Sequence, residues 1–217
     1  MNQAVIFDMD GTLFDTEPVL HRAWVKLVEL GRIPADILEL LPHMVGKNRL
    51  AIRRELIAHY GETFPLDDIY RERDALIQTE LNERGVPLKP GVPEIFGILR
   101  DMGYRLALAT STSAPSVADY MRRTGLAKHF DVIVTGDRVE NGKPAPDIFL
   151  LAANELGLTP DRCTVIEDSH NGVRAGAAAG MDVIMIPDIQ SATEEMRALA
   201  THVCESLHEI PRLLPSL

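Results

Sequence analysis

Residues 4–12 read Ala4-Val5-Ile6-Phe7-Asp8-Met9-Asp10-Gly11-Thr12. Four apolar residues run straight into two carboxylates spaced two apart, and a glycine follows that lets the chain turn away. A strand repeats every two residues, so Asp8 and Asp10 leave it facing the same side. Two acids crowded at a strand end are costly unless a cation or a chemical task uses them. In open α/β sheets the carboxyl ends of the strands are where ligands bind. The stretch therefore predicts a buried strand over 3–7 that delivers an acidic pair to a binding crevice.

Past this stretch, Thr16 stands as a candidate N-cap and Pro18 suits the first turn of a helix. Leu20, Trp24, Leu27 and Val28 follow at helical spacing, up to Gly31. Residues 34–84 continue as helix-forming segments, with breaks at Pro42, Gly46, Gly61 and Pro65 and no β-branched strand run. Gly85-Val86-Pro87-Leu88-Lys89-Pro90-Gly91 reads as a linker. Beyond it, helices near 92–102, 114–124, 146–156 and 171–179 alternate with strands at 105–110, 131–135, 163–167 and 182–186. Such alternation predicts a parallel sheet with helices on both faces and right-handed crossovers. The expected fold class is α/β: a parallel, Rossmann-like sheet core over 1–15 and 88–217, with an all-helical insert over 16–87.

The formal net charge of the 217 residues is -10. That balance argues against a nucleic-acid or anionic-membrane surface. It also means that an anionic substrate needs a local cation or a cluster of donors. Cys163 and Cys204 show neither metal-ligand spacing nor a disulfide framework. No apolar run is long enough to span a bilayer, and no basic region followed by an apolar one opens the chain. The expectation is a cytoplasmic protein that engages neither membrane nor nucleic acid.

Three further groups lie at or just past strand ends: Thr110-Ser111, Gly142-Lys143-Pro144, and Glu167-Asp168-Ser169 running on to Asn171-Gly172. In a parallel sheet these ends share one rim, so residues from Asp8 to Asp168 converge on one crevice. The inventory suits a phosphate and Mg²⁺, which wants about six oxygens at about 2.0–2.1 Å. Asp8 and Asp168 can supply two, with Glu167 a third ligand or an outer partner. Lys143 and the Thr110 hydroxyl would hold phosphate oxygens. Helix N-termini near Ser111 and Ser169 add backbone donors. A calcium loop would need an acid and a glycine at the fifth and sixth positions, where this chain has Thr12 and Leu13. His21, His43 and His170 read as surface or packing residues, and Trp24 as core.

Together the four motifs resemble those of the haloacid dehalogenase superfamily, in its phosphatase and β-phosphoglucomutase-like branch, over essentially the full length. The resemblance implies that Asp8 attacks phosphorus to form an aspartyl-phosphate. Asp10 would protonate the leaving oxygen, deprotonate the attacking water and lend its backbone carbonyl to the metal. The implied metal set is Asp8, Asp10, Glu167 and Asp168 around Mg²⁺. The implied catalytic set is Asp8, Asp10, Thr110 and Lys143, with substrate contacts from Gly11, Thr110, Ser111 and Lys143. The helical insert resembles that branch's cap domain. Its Gly46-Lys47-Asn48-Arg49 turn sits where related caps touch substrate, although a basic run that includes Arg53 and Arg54 reads equally as a solvated face. Mutases of this branch use a cap histidine and a cap lysine. A gapless match puts Leu20 and Val45 there, with His21 and Lys47 close by. The expected reaction is hydrolysis of a small phosphate ester, a sugar phosphate, by a monomer. A β-phosphoglucomutase-type mutase is the alternative. A non-catalytic binding protein is another, which the presence of Asp8 and Asp10 disfavours.

Overall fold

A computed structural model describes residues 2–214. The strand expected at the start of the chain is β1, Ala4–Phe7, and all four of its side chains are buried. It lies inside a six-stranded parallel sheet of order β3-β2-β1-β4-β5-β6. The other strands are β2 (Arg105–Ala109), β3 (Val132–Val134), β4 (Cys163–Glu167), β5 (Asp182–Met185) and β6 (His202–Val203). Phe7 stands opposite Leu108 of β2 and Ile166 of β4. The next residues of these three strands, Asp8, Ala109 and Glu167, therefore emerge side by side. Strand order reverses at β1, with β2 on one side and β4 on the other, and a crevice opens at such a reversal.

Four helices follow β1 before the chain returns to the sheet: α1 (Glu17–Glu29), α2 (Ile37–Met44), α3 (Arg49–Tyr60) and α4 (Leu66–Arg84). They bury a cluster of their own that includes Trp24, Leu27, Ile37, Leu56 and Tyr70. Val19 and Ala23 of α1, with Ile77 and Leu81 of α4, instead join the sheet's core. Pro18 sits in the first turn of α1, as expected. Thr16 holds the N-cap position but makes no capping bond, because its backbone is already helical (φ -88, ψ -19). A side-chain cap needs an extended residue there. The composition-read linker is also structured. The Asp15 N–H donates to the Pro87 carbonyl at 3.0 Å and the Lys89 N–H to the Leu13 carbonyl at 2.9 Å. Entry to and exit from the helices thus run together as a short ribbon. Lys89 ties it to the core through ion pairs with Asp15 (2.9 Å) and Asp188 (2.7 Å).

Helices α5 (Val92–Asp101), α6 (Ala114–Thr124), α7 (Asp147–Glu155) and α8 (His170–Ala178) follow the alternation read from sequence. Val5 and Phe7 face Phe96 of α5 and Tyr120 of α6, while Ala4 and Ile6 face Phe149 of α7 and Val173 of α8. Period-two alternation of β1 thus feeds both faces. Boundaries shift by one or two residues. Helix α8 begins one residue early because Ser169 caps it, accepting from the Gly172 N–H at 3.0 Å. β6, α9 (Glu194–Leu199) and α10 (Ile210–Leu213) have no counterpart in the sequence reading; they are short and lie past residue 186, beyond the strand–helix alternation that framed the other short elements. Among the described residues no helix is long and apolar enough to cross a membrane.

Candidate active site

Lys143 is the centre of the rim. It sits on the loop between β3 and α7, and only 2% of it is exposed. Its Nζ donates to Asp8 Oδ1 at 2.5 Å, to Glu167 Oε1 at 2.7 Å and to the Ala109 carbonyl at 3.2 Å. The carboxyl ends of β1, β2 and β4 therefore meet on one ammonium group. Burial pulls the Lys143 pKa down, but Asp8 and Glu167 outweigh it and hold the group above its ordinary value. Burial pushes the Asp8 carboxyl well up; Lys143 opposes this and Glu167 adds to it. Asp168 is pushed well up too, by burial and then by Glu167 and Asp8.

The acids are not equally committed. Glu167 Oε2 accepts from the N–H groups of Asp168 (2.9 Å) and Ser169 (2.8 Å) and from Ser169 Oγ (3.0 Å). With Oε1 on Lys143, both of its oxygens are in use. Asp168 accepts from Thr12 Oγ1 at 3.2 Å. Gly11, at φ +84, backs directly onto the Asp168 carboxyl group, where a β-carbon would collide. Asp10 turns away from this group. Thr16 Oγ1 donates to its Oδ1 at 2.5 Å and Thr112 Oγ1 to its Oδ2 at 2.6 Å. Burial raises the Asp10 pKa, and these two hydroxyls hold it partly back. Sequence reasoning missed Thr112 and read Thr16 as a cap. The only signal was a hydroxyl residue two places past Thr110 and another six past Asp10.

Asp8, Glu167 and Asp168 each offer an oxygen within 4.8 Å of the others. Three buried acids against one lysine leave negative charge uncompensated. An all-oxygen donor set of that charge fits a hard divalent cation such as Mg²⁺.

In front of the rim lies a cavity of about 810 Å³. Asp8, Asp10, Thr110, Ser111 and Asp168 form its core wall; Trp24, Lys47, Arg49, Tyr70 and Arg73 are on the helical wall. Gly11, Lys143 and Glu167 lie behind that wall. Lys47 and Arg49 reach it, as expected, but each is paired with an acid. Lys47 Nζ meets Glu55 at 2.5 Å, and Arg49 meets Asp74 at 3.2 Å while lying 4.2 Å over the Tyr70 ring. The Ser111 hydroxyl donates to the Gly46 carbonyl at 2.9 Å. Glu17 also lines the cavity, which sequence reading did not foresee. Burial, with Asp10 and Asp188 adding and Lys89 opposing, pushes its pKa up to about 7.

The family model described as haloacid dehalogenase-like hydrolase matches residues 3–180, which span the whole rim. The chain belongs to that family. It is 35% identical over 220 residues to protein CbbY of Cereibacter sphaeroides, covering 97% of this chain and 94% of that protein. It is 37% identical over 186 residues to the phosphorylated carbohydrates phosphatase of Thermotoga maritima, covering 84% and 83%. Its fold matches the crystal structure of CbbY from Rhodobacter sphaeroides in complex with phosphate, with a TM-score of 0.80, 32% identity and 97% and 96% coverage. This haloacid dehalogenase-like chain is an enzyme, a phosphoric monoester hydrolase.

Proposed function

We propose that this hydrolase is a Mg²⁺-dependent phosphatase of a small phosphorylated metabolite, a sugar phosphate, working through a phosphoryl group carried on Asp8. One observation carries the reading: Asp8, Glu167 and Asp168 gather with a single buried ammonium behind a cavity of about 810 Å³. That volume suits a small ligand. The phosphatase name of the Thermotoga relative and the phosphate complex of CbbY support it.

Asp8 attacks phosphorus with the oxygen that faces the cavity, while Lys143 holds its Oδ1. The ester bond breaks and the leaving oxygen takes a proton from Asp10, whose carboxyl is shifted by burial toward the protonated form. Asp10 then takes a proton from the water that cleaves the aspartyl-phosphate. Thr16 and Thr112 grip one Asp10 oxygen each, so the carboxyl cannot rotate away from its task. Thr110 Oγ1 already accepts from the Thr112 N–H at 3.1 Å. Its own hydrogen is left to donate to a phosphoryl oxygen. Asp8 and Asp168 would hold the metal, with the Asp10 backbone carbonyl beside them and Glu167 fixed behind as the outer partner. When bound, the metal supplies the positive charge that neutralises the phosphoryl oxygens.

Residues 16–87 act as a cap domain over a core of 1–15 and 88–217, hinged at the Asp15–Pro87 ribbon, and Lys47 and Arg49, each paired with an acid, form part of the cap's wall of the cavity. Closing the cap excludes water and strengthens every field in the site. Hydrolysis is favoured over return of the phosphoryl group to a second sugar hydroxyl. Leu20 and Val45 stand where the mutase pattern has histidine and lysine, and the Lys47 amine is taken by Glu55. The test is a panel of phosphorylated metabolites scored for phosphate release with and without Mg²⁺, run beside Asp8→Asn. Metal-dependent release that falls to background in the variant is expected. No release, or glucose 6-phosphate as the main product from β-glucose 1-phosphate, overturns the proposal.

A further inference from the structure

The C-terminal end of α2 is bonded to the sheet core by side chains from three separate segments. Asn171 Nδ2, at the start of α8, donates to the Val45 carbonyl at 2.9 Å. Gln190 Nε2, on the loop after β5, donates to the Pro42 carbonyl at 3.0 Å, while its Oε1 accepts from the His170 N–H at 2.8 Å. Ser111, after β2, holds the Gly46 carbonyl. The last four carbonyls of a helix lack partners within it, and the helix dipole makes that end electronegative. Pro42 is one of these four, Val45 and Gly46 follow just past the helix end, and the core answers all three carbonyls with neutral donors, while the Met44 carbonyl is taken by the Lys47 N–H. The fit is close. Gly46, at φ +76, stands against the Ser169 side chain, and Gly142 against the Asn48 amide; a β-carbon at either would collide. The same segment runs into Gly46 and Lys47, which line the cavity.

We infer that Asn171 and Gln190 are positioning residues that latch segment 42–46 over the site and set how often it opens to solvent. That the latched site is a phosphatase site rests on the function proposed above; the latch itself does not. Both residues reach backbone oxygen only, so the latch works through the shape of the α2 terminus rather than through its side chains. Gln190 is also a bridge, since one amide group joins the start of α8 to the end of α2.

The experiment is amide hydrogen exchange by mass spectrometry on the full chain, with Asn171→Ala, Gln190→Ala, the double variant and Gln190→Glu. A neutral hydrogen bond is worth roughly five-fold in an equilibrium. Peptides over 42–48 should exchange roughly five-fold faster in each alanine variant and roughly 25-fold faster in the double one. Peptides over β1 and β4 should not change. Gln190→Glu keeps the acceptor for the His170 N–H but puts a carboxylate against the Pro42 carbonyl, so over 42–48 it should exchange at least as fast as Gln190→Ala. Three results overturn the latch: unchanged exchange over 42–48 in the double variant, acceleration spread equally over β1 and β4, or a Gln190→Glu profile like that of the parent. Phosphate release measured on the same samples reports on the phosphatase proposal separately, because exchange needs no substrate.

Discussion

Replacing Glu17 with Gln should stabilise the metal-free protein, and only above a defined pH. Glu17 lies on the cavity wall, where burial, Asp10 and Asp188 lift its pKa from the ordinary 4.5 to about 7 against the pull of Lys89. The folded state therefore binds a proton that the unfolded chain releases. Below pH 4.5 both states are protonated and the group costs folding nothing. Between 4.5 and 7 the unfolded chain ionises first, so stability falls as pH rises. Above 7 the loss is complete. Each tenfold change in proton affinity is worth about 1.4 kcal/mol, so the whole loss is at most about 3.5 kcal/mol. Glutamine is neutral throughout and escapes it.

Urea unfolding in EDTA, from pH 4.5 to pH 8, measures the difference between variant and parent directly. It should start near zero and grow toward about 3.5 kcal/mol, which for a chain of this size is roughly 7–14 °C in Tm. Subtracting the parent removes the titration of groups that do not touch Glu17. Asp10 does touch it electrostatically, and that repulsion is already part of the raised Glu17 pKa. A difference that stays flat within about 0.5 kcal/mol over this range refutes the account of Glu17 as a buried, proton-holding wall residue.

Lys143→Met leaves Asp8 and Glu167 buried without their cation and should cost about 3–5 kcal/mol at pH 8. The cost should shrink as pH falls, because burial holds the Asp8 pKa above its ordinary value and a protonated Asp8 needs no cation; urea melts at pH 8 and at pH 5 check this. Removing metal with EDTA should abolish phosphate release, and Mg²⁺ at about 100 times its Kd should add about 2.7 kcal/mol of stability. A melting curve indifferent to Mg²⁺ would count against the three-acid site. Gly172→Ala puts a β-carbon inside the Glu167 carboxyl group. It should cost more than about 3 kcal/mol or prevent soluble expression, and a parent-like Tm would mean that Glu167 is not packed beneath α8.

The fold was legible wherever a period had room to repeat. Ala4–Phe7 announced a central strand because four apolar residues ended in an acidic pair, and the later strands announced themselves by alternating with helices. Strands of three to five residues were legible where helices framed them; β6, α9 and α10, past residue 186, had no such frame and are too short to carry a period of their own. At the site, sequence spacing pointed to Asp8, Thr110, Lys143, Glu167 and Asp168. Spacing does not reveal which way a hydroxyl turns. Thr16 and Thr112 reach Asp10 only because the chain folds back after Gly11 and after β2. Lys47 and Arg49 were read as substrate contacts or as part of a solvated face, and the spacing did not reveal their pairing with Glu55 of α3 and Asp74 of α4.

The same spacing also concealed depth. Read along the chain, Lys143 is a loop cation free to meet a phosphate; in the fold it lies behind Asp8 and Glu167, with its three donors spent on two acids and a strand carbonyl. Its field still reaches the cavity, but through Asp8. It holds one Asp8 oxygen, Oδ1, and in the proposed reaction the other would meet phosphorus. One ammonium cannot balance Asp8, Glu167 and Asp168 together, and burial makes each uncompensated charge expensive. The rim is therefore a place where folding alone would favour fewer acids. A site that must gather a divalent ion and a phosphoryl group needs this surplus of negative charge, and the surplus sits where β1, the strand at which the sheet order reverses, ends.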